Sequence, residues 1–206
     1  RVDALEGPAR PLADVASVLG REIDVKLLGD VASVGQDEVM AAIEQMLSRQ
    51  VLVEISSERY RFSHESLRQA IYERLAPPRR KRLHRAAAES MSTFFRTQRE
   101  EHQAEMGHHW ENAGEHARAQ QCYLPAARCA ASRFALEAAE KLYRSWLGLG
   151  KGGTVQSVTV HHEMGEHVLM VLGRIPEAME EHRIALEESR ALGNRALAGR
   201  SLLALA

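Results

Sequence analysis

The turn signals in the second half of this chain constrain its fold more than any other feature. Gly114-Glu115, Ser132-Arg133, Gly150 to Gly153, Gly173-Arg174 and Gly193-Asn194 cut it into stretches of helical length. Helix starts near 116, 155 and 195 predict a repeat of about 40 residues, each holding two helices. Small residues recur at matching places, Ala119 and Ala126 on one helix, Ala178 and Ala185 on another. Such positions let stacked helices approach closely. Hydrophobic residues make up 45% of the chain and aromatics only 5%. A core is therefore within reach, but the rings and β-branched residues of a β-sandwich are scarce. The expected fold is mainly α. No run reaches the roughly 18 apolar residues needed to span a bilayer, and no signal-peptide pattern is present.

The first 75 residues read differently. Leu12, Val15, Ala16 and Leu19 form one helical stripe, and Gly20 is placed to end it. Asp24 is placed to cap a second helix with Val25, Leu28, Val31 and Ala32 inward, broken by Gly35. Val39, Ile43, Met46 and Leu47 mark a third, ending near Gln50. Val51 to Ile55, a turn at Ser56-Ser57-Glu58, and Arg59 to Ser63 read as a β-hairpin. A fourth helix follows, with Leu67, Ala70, Ile71 and Leu75 inward. Three helices and a hairpin are the plan of a winged helix, a fold that often binds DNA. Here the third helix would enter the groove carrying Asp37, Glu38 and Glu44 against one Arg49. A groove-reading helix needs the opposite charge, so nucleic acid is not the expected partner.

Charge is unevenly spread. Residues 1–58 carry net −6, residues 59–99 net +8 and residues 100–206 net −3, within a total of −1. A basic waist between acidic flanks suits a phosphate-bearing or acidic partner, or a solvated helix face. After Pro77-Pro78, Arg79, Arg80, Lys81, Arg82 and Arg85 crowd the first turns of a helix. Cations there oppose the helix dipole, so contact with an acidic surface or phosphate, or neighbours such as Glu73 and Glu89, must offset them.

The run Arg59-Tyr60-Arg61-Phe62-Ser63-His64-Glu65, continuing through Ser66 to Leu75, then Pro78 to His84 and Ala87, carries a family pattern. Leu19-Gly20-Arg21-Glu22-Ile23-Asp24 precedes it and His108-His109-Trp110 follows. Over about residues 5–150 the chain resembles the STAND class of bacterial signalling ATPases, close to LuxR-type large ATP-binding regulators and ATPase-linked kinases and cyclases. Leu172 to Ala178 resembles the inter-helix turn and second-helix start of a tetratricopeptide repeat. The resemblance implies a nucleotide-binding core, a winged helix and tetratricopeptide-like repeats that hold a protein or small-molecule inducer. It implies also that His64, followed by Glu65, faces the intramolecular nucleotide-binding domain and senses ADP. Read from its position alone, His64 is a polar residue capping a strand-to-helix junction.

No G-x-x-x-x-G-K-[ST] occurs. The glycine-rich run at Gly148 to Thr154 has Lys151 followed by Gly152 and no strand before it, so it reads as a linker, not a P-loop. No catalytic activity and no cofactor are expected of this chain, ATP or ADP belonging to the larger parent. His162-Glu163-Met164-Gly165-Glu166-His167 reads H-E-x-x-x-H. A zinc site needs three convergent ligands and an open position, whereas Val160, Met164, Val168 and Leu172 give this helix a packing stripe. No metal is expected. Of His108-His109, one should be packed and one exposed. Cys122 and Cys129 lie about 10 Å apart along a helix, too far for a disulfide, which fits a reducing, cytoplasmic setting.

The expected layout is a winged-helix domain over 1–76, linking helices over 77–114 and tetratricopeptide-like repeats over 115–206. An opening at Arg1-Val2-Asp3 and an apolar end at Leu202 to Ala206 suggest a piece of a longer protein. The expected function is regulatory and non-catalytic: repeats sense an inducer or partner, and the winged helix relays state to the nucleotide-binding core. A DNA-binding winged helix and a stand-alone repeat scaffold are the alternatives.

Overall fold

The computed structural model describes residues 5–95 and 99–206, with the backbone alone at 99. The described residues are mainly helical with one small sheet. Among the described residues two compact units emerge: residues 5–95 with 112–114, and residues 99–111 with 115–206.

The first unit runs α1 (Ala9–Leu19), β1 (Glu22–Asp24), α2 (Val25–Ala32), α3 (Gln36–Ser48), β2 (Leu52–Ser56), β3 (Arg59–Phe62), α4 (Glu65–Arg74) and α5 (Pro77–Phe94). The apolar stripe of α1 is buried as its spacing requires, with Leu12, Val15, Ala16 and Leu19 all at most 5% exposed. Gly20 takes φ 122°, and its N–H reaches the Ala16 carbonyl. The Asp24 carboxylate accepts from the Lys26 and Leu27 amides, capping α2. Leu28, Ile43, Met46, Leu52 and Ile71 meet in a core with no exposure above 2%.

The sheet order is β1-β3-β2, antiparallel throughout, with Ile23 opposite Tyr60 and Leu52 opposite Phe62. The hairpin forms where its alternation places it. A register shift between Glu54 and Ser56 turns Ile55 out to 46% exposure. Strand β1 is an addition to the sequence expectation, because three residues carry no period of their own. In α4, Ile71 and Leu75 are buried as expected, but Leu67 is half-buried and Ala70 exposed.

The second unit runs α6 (Arg99–Ala113) without its last two residues, α7 (His116–Ser132), α8 (Leu136–Leu149), α9 (Val155–Met164), a π-helical turn (Gly165–Leu169), α10 (Ile175–Ala191) and α11 (Arg195–Leu205). Helices α7 and α8, α9 and α10, and α10 and α11 pack as neighbours. Ala119, Ala139, Ala178 and Ala185 are fully buried at these contacts. Glycine serves the same purpose on α6. A Cβ on Gly107 would sit 2.6 Å from the Tyr123 ring, so only glycine fits there. Thr154 and Ser157 cap α9 reciprocally.

Three turns of this unit share one geometry. The amides of Gly173 and Arg174 bond the carbonyls of Met170 and Leu169, and those of Gly193 and Asn194 bond Arg190 and Ser189. The amides of Phe134 and Ala135 bond Ala131 and Ala130 in the same way. This is the paired 5→2 and 6→1 Schellman closure, whose pivot residue is left-handed. The pivots have φ of 73° at Gly173, 66° at Gly193 and 58° at Phe134. A phenylalanine thus holds the place glycine holds in the other two turns. Among the described residues no helix is long and apolar enough to cross a membrane.

Candidate functional site

Chain direction places His64 between two regular elements. Strand β3 ends at Phe62, the Ser63 amide bonds the Val51 carbonyl, and α4 starts at Glu65. His64 is the N-cap residue of α4 in extended backbone, and its carbonyl accepts from Leu67 and Arg68. Its imidazole makes no capping hydrogen bond. The side chain is exposed and has no partner among the described residues. The capping role read from its position is therefore filled by the backbone alone, and the ring faces solvent. Beside it, Arg68 pairs with Glu65 and donates to the Ser17 carbonyl at 2.9 Å, fixing α4 to α1.

The basic start of α5 is divided in use. Arg79 pairs with Asp14 at 2.7 Å. Burial raises the Asp14 carboxyl against the pull of Arg79 and Arg10. Arg80 lies over the Tyr72 ring at 4.4 Å and donates to the carbonyls of Tyr72, Glu73 and Leu75, at the C-terminal end of α4. Two cations that oppose the dipole of α5 are thus held by a carboxylate and by the carbonyl end of another helix. The Glu73 carboxylate is not what offsets them; its backbone carbonyl is. Lys81 and Arg82 are exposed, with no ion pair among the described residues. Arg85 is exposed as well. Arg79 and Arg82 rim a recess of about 330 Å³ floored by Leu12, Val15, Val31 and Leu83. A second cleft of about 550 Å³ has Asp24, Asp30 and Glu58 around Lys26, a lining that repels phosphate.

In the second unit, Phe134 is 77% exposed and borders a groove of about 500 Å³. Val171, Ala131 and His167 line it, with Arg128, Glu163 and Tyr143 at one side. Arg128 donates to both oxygens of Glu163 at 2.9 and 2.8 Å, and the Tyr143 hydroxyl donates to Glu163 at 3.2 Å. Burial and the Glu163 charge push the Tyr143 phenol far up, so it stays a donor. The groove therefore offers an apolar ring, an exposed methyl surface and an oriented guanidinium.

The H-E-x-x-x-H run sends its histidines to different places. His167 is exposed on the groove, while His162 is fully buried against α10. Among the described residues no group of three or more His, Cys, Asp or Glu side chains is arranged to hold a metal. His109 is buried and His108 exposed. Cys122 and Cys129 lie on α7 and form no disulfide. Two features had no signal in the sequence: the left-handed Phe134, and the contact of His162 with His182 twenty residues later. No protein family, curated protein or solved structure matches the chain.

Proposed function

We propose that this chain is the non-catalytic regulatory arm of a STAND-type signalling ATPase. Its second unit holds an inducer or partner, and its first unit, a winged helix, relays the state to a nucleotide-binding core. The observation that carries the proposal is His64: an exposed imidazole, without a partner among the described residues, at the start of α4. A ring nitrogen there can donate to a phosphate oxygen supplied by another domain. The helix-strand order α1-β1-α2-α3-β2-β3 with sheet order β1-β3-β2 supports the winged-helix assignment. Lys81, Arg82 and the apolar recess beside them suit docking against an acidic surface.

Phe134 supports the partner-holding role of the second unit. A left-handed phenylalanine costs on the order of 1 kcal/mol relative to glycine, and an exposed ring recovers none of it by folding. Strain of this kind gathers at binding surfaces. The helix pairs and buried alanines fit tetratricopeptide-like stacking of about 40 residues per repeat.

The test uses the full-length parent. ADP should protect it against proteolysis, and His64→Ala should remove most of that protection without changing the fold by circular dichroism. ADP protection that survives unchanged in His64→Ala would contradict the sensor role.

A further inference from the structure

Helices α9, α10 and α11 meet around a chain of buried polar side chains that neither the groove nor His64 uses. His162 is fully buried, and His182 and Ser201 are 2% and 0% exposed. Nδ1 of His162 lies 3.2 Å from Nδ1 of His182, and Nε2 of His162 lies 2.9 Å from the Ser201 hydroxyl. The Ser201 hydroxyl donates to the Leu197 carbonyl at 3.1 Å. That last bond sets the direction of all the others. With its proton committed to Leu197, Ser201 accepts from His162, so His162 carries its proton on Nε2. Its Nδ1 is then a bare lone pair, and it accepts from Nδ1–H of His182.

The π-helical turn makes the arrangement possible. A Cβ on Gly165 would lie 2.8 Å from Cε1 of His182, so the His182 ring rests directly on the glycine backbone. Charged and titratable groups surround the pair from each packed element. His161 stands beside it on α9, Glu166 on the π-helical turn and Glu181 on α10, which bonds Nδ1 of His161 at 2.6 Å. Arg200 stands on α11, bonded to Glu166 at 3.2 Å. From α8, Arg144 reaches Glu181 at 3.6 Å.

We propose that the His182–His162–Ser201 chain is an acid-operated clasp, which holds α10 and α11 to α9 and releases them when His162 takes up a proton on Nδ1 beside a charged His182. A neutral His182 can answer a first proton by keeping its own on Nε2 and accepting at Nδ1, so the bond is lost when both rings are charged and two N–H groups face each other in a dry site. Protonation of His182 on its free Nε2 leaves its Nδ1–H in place, so the proton on His162 is the trigger. Burial, Arg200 and His182 all resist the charge, holding the His162 imidazole down to about 4. The clasp is closed at neutral pH and opens as pH falls toward that value. Opening would detach α11, which already exposes Leu202 and Leu203 at 51% and 81%.

The test is nitrogen NMR of the whole chain with hydrogen exchange read by element. At pH 7 His162 should show as the Nε2–H tautomer. Between pH 6.5 and 4.5, amides of α10 and α11 should lose about tenfold or more of their protection after correction for intrinsic rates. Those of α7 and α8 should change much less. His162→Gln keeps a donor toward Ser201 and cannot titrate, so it should abolish the acid step. A His162 that titrates near 6.5, protection of α11 that does not move with pH, or an acid step that persists in His162→Gln overturns the proposal. If His162→Gln fails to fold, the tautomer and exchange data on the unaltered chain still decide.

Discussion

The two units hold their helices together by different means. In the first, Leu28, Ile43, Met46, Leu52 and Ile71 fill one apolar core, and polar side chains act mainly at its edges, apart from buried His84, whose Nε2 lies 2.9 Å from the Tyr72 hydroxyl. In the second, buried and part-buried polar bridges join several of the helices. Tyr123 bonds Glu111 at 2.5 Å, Ser157 bonds Glu188 at 2.5 Å, His161 bonds Glu181 at 2.6 Å, and His162 joins His182 and Ser201. Apolar burial is indifferent to pH and tolerant of sliding. A buried hydrogen bond fixes register and costs more to break than it contributes when made. The second unit therefore gains a defined helix register, and with it a sensitivity to protonation at His162.

The sharpest way to break this contrast is to cut the apolar core. Ile43→Ala should destabilise the first unit by roughly 2–5 kcal/mol, equally at pH 7.5 and pH 5. A denaturant titration at both values checks it; a strong pH dependence would place a titrating group in that core. The second unit should respond to acid instead. Folding lowers the His162 imidazole from 6.5 to about 4, so in that window the unfolded chain binds more protons. Stability then falls as pH drops from about 6.5 to 4 and levels off below. The loss is about 3 kcal/mol for a shift of this size, read as the pH dependence of the second transition.

Close helix approach gives the next effect. Gly107→Ala drives a methyl into the Tyr123 ring and Gly165→Ala drives one into His182, each costing roughly 1–3 kcal/mol by thermal unfolding. Phe134→Gly should go the other way, gaining about 1 kcal/mol by relieving the left-handed ring. A variant that melts higher yet loses its inducer or partner would tie that strain to binding. A variant that melts lower would show the ring to be structural. Asp24→Ala, which removes a cap from the first unit, should cost about 1 kcal/mol with no effect on the second.

Local signals in the sequence carried much of this far. Glycines at turns and apolar spacing located the helices, and the alternation around Ser56-Ser57-Glu58 located the hairpin. Strand β1 was hidden because its partner, β3, lies more than thirty residues away. The roles of Arg79 and Arg80 were hidden for the same reason: Asp14 sits on another helix, and the acceptors of Arg80 are backbone carbonyls, which no side-chain pattern displays. Phe134 gave no warning, since turn chemistry would place glycine there. The spacing of His162 and His167 drew attention to a false pair, while the partner of His162 was on the next helix.

Duplex DNA binding in a salt titration tests the functional assignment most directly. Helix α3 presents Asp37 and Glu38 in its first turn, and two of the arginines of α5 are already engaged within the protein. The account predicts no binding tighter than the roughly micromolar, sequence-independent level that a few exposed cations give. Submicromolar binding that weakens steeply with salt, and vanishes when Arg79, Arg80, Lys81 and Arg82 are changed together to Ala, would contradict it and make this chain a DNA reader.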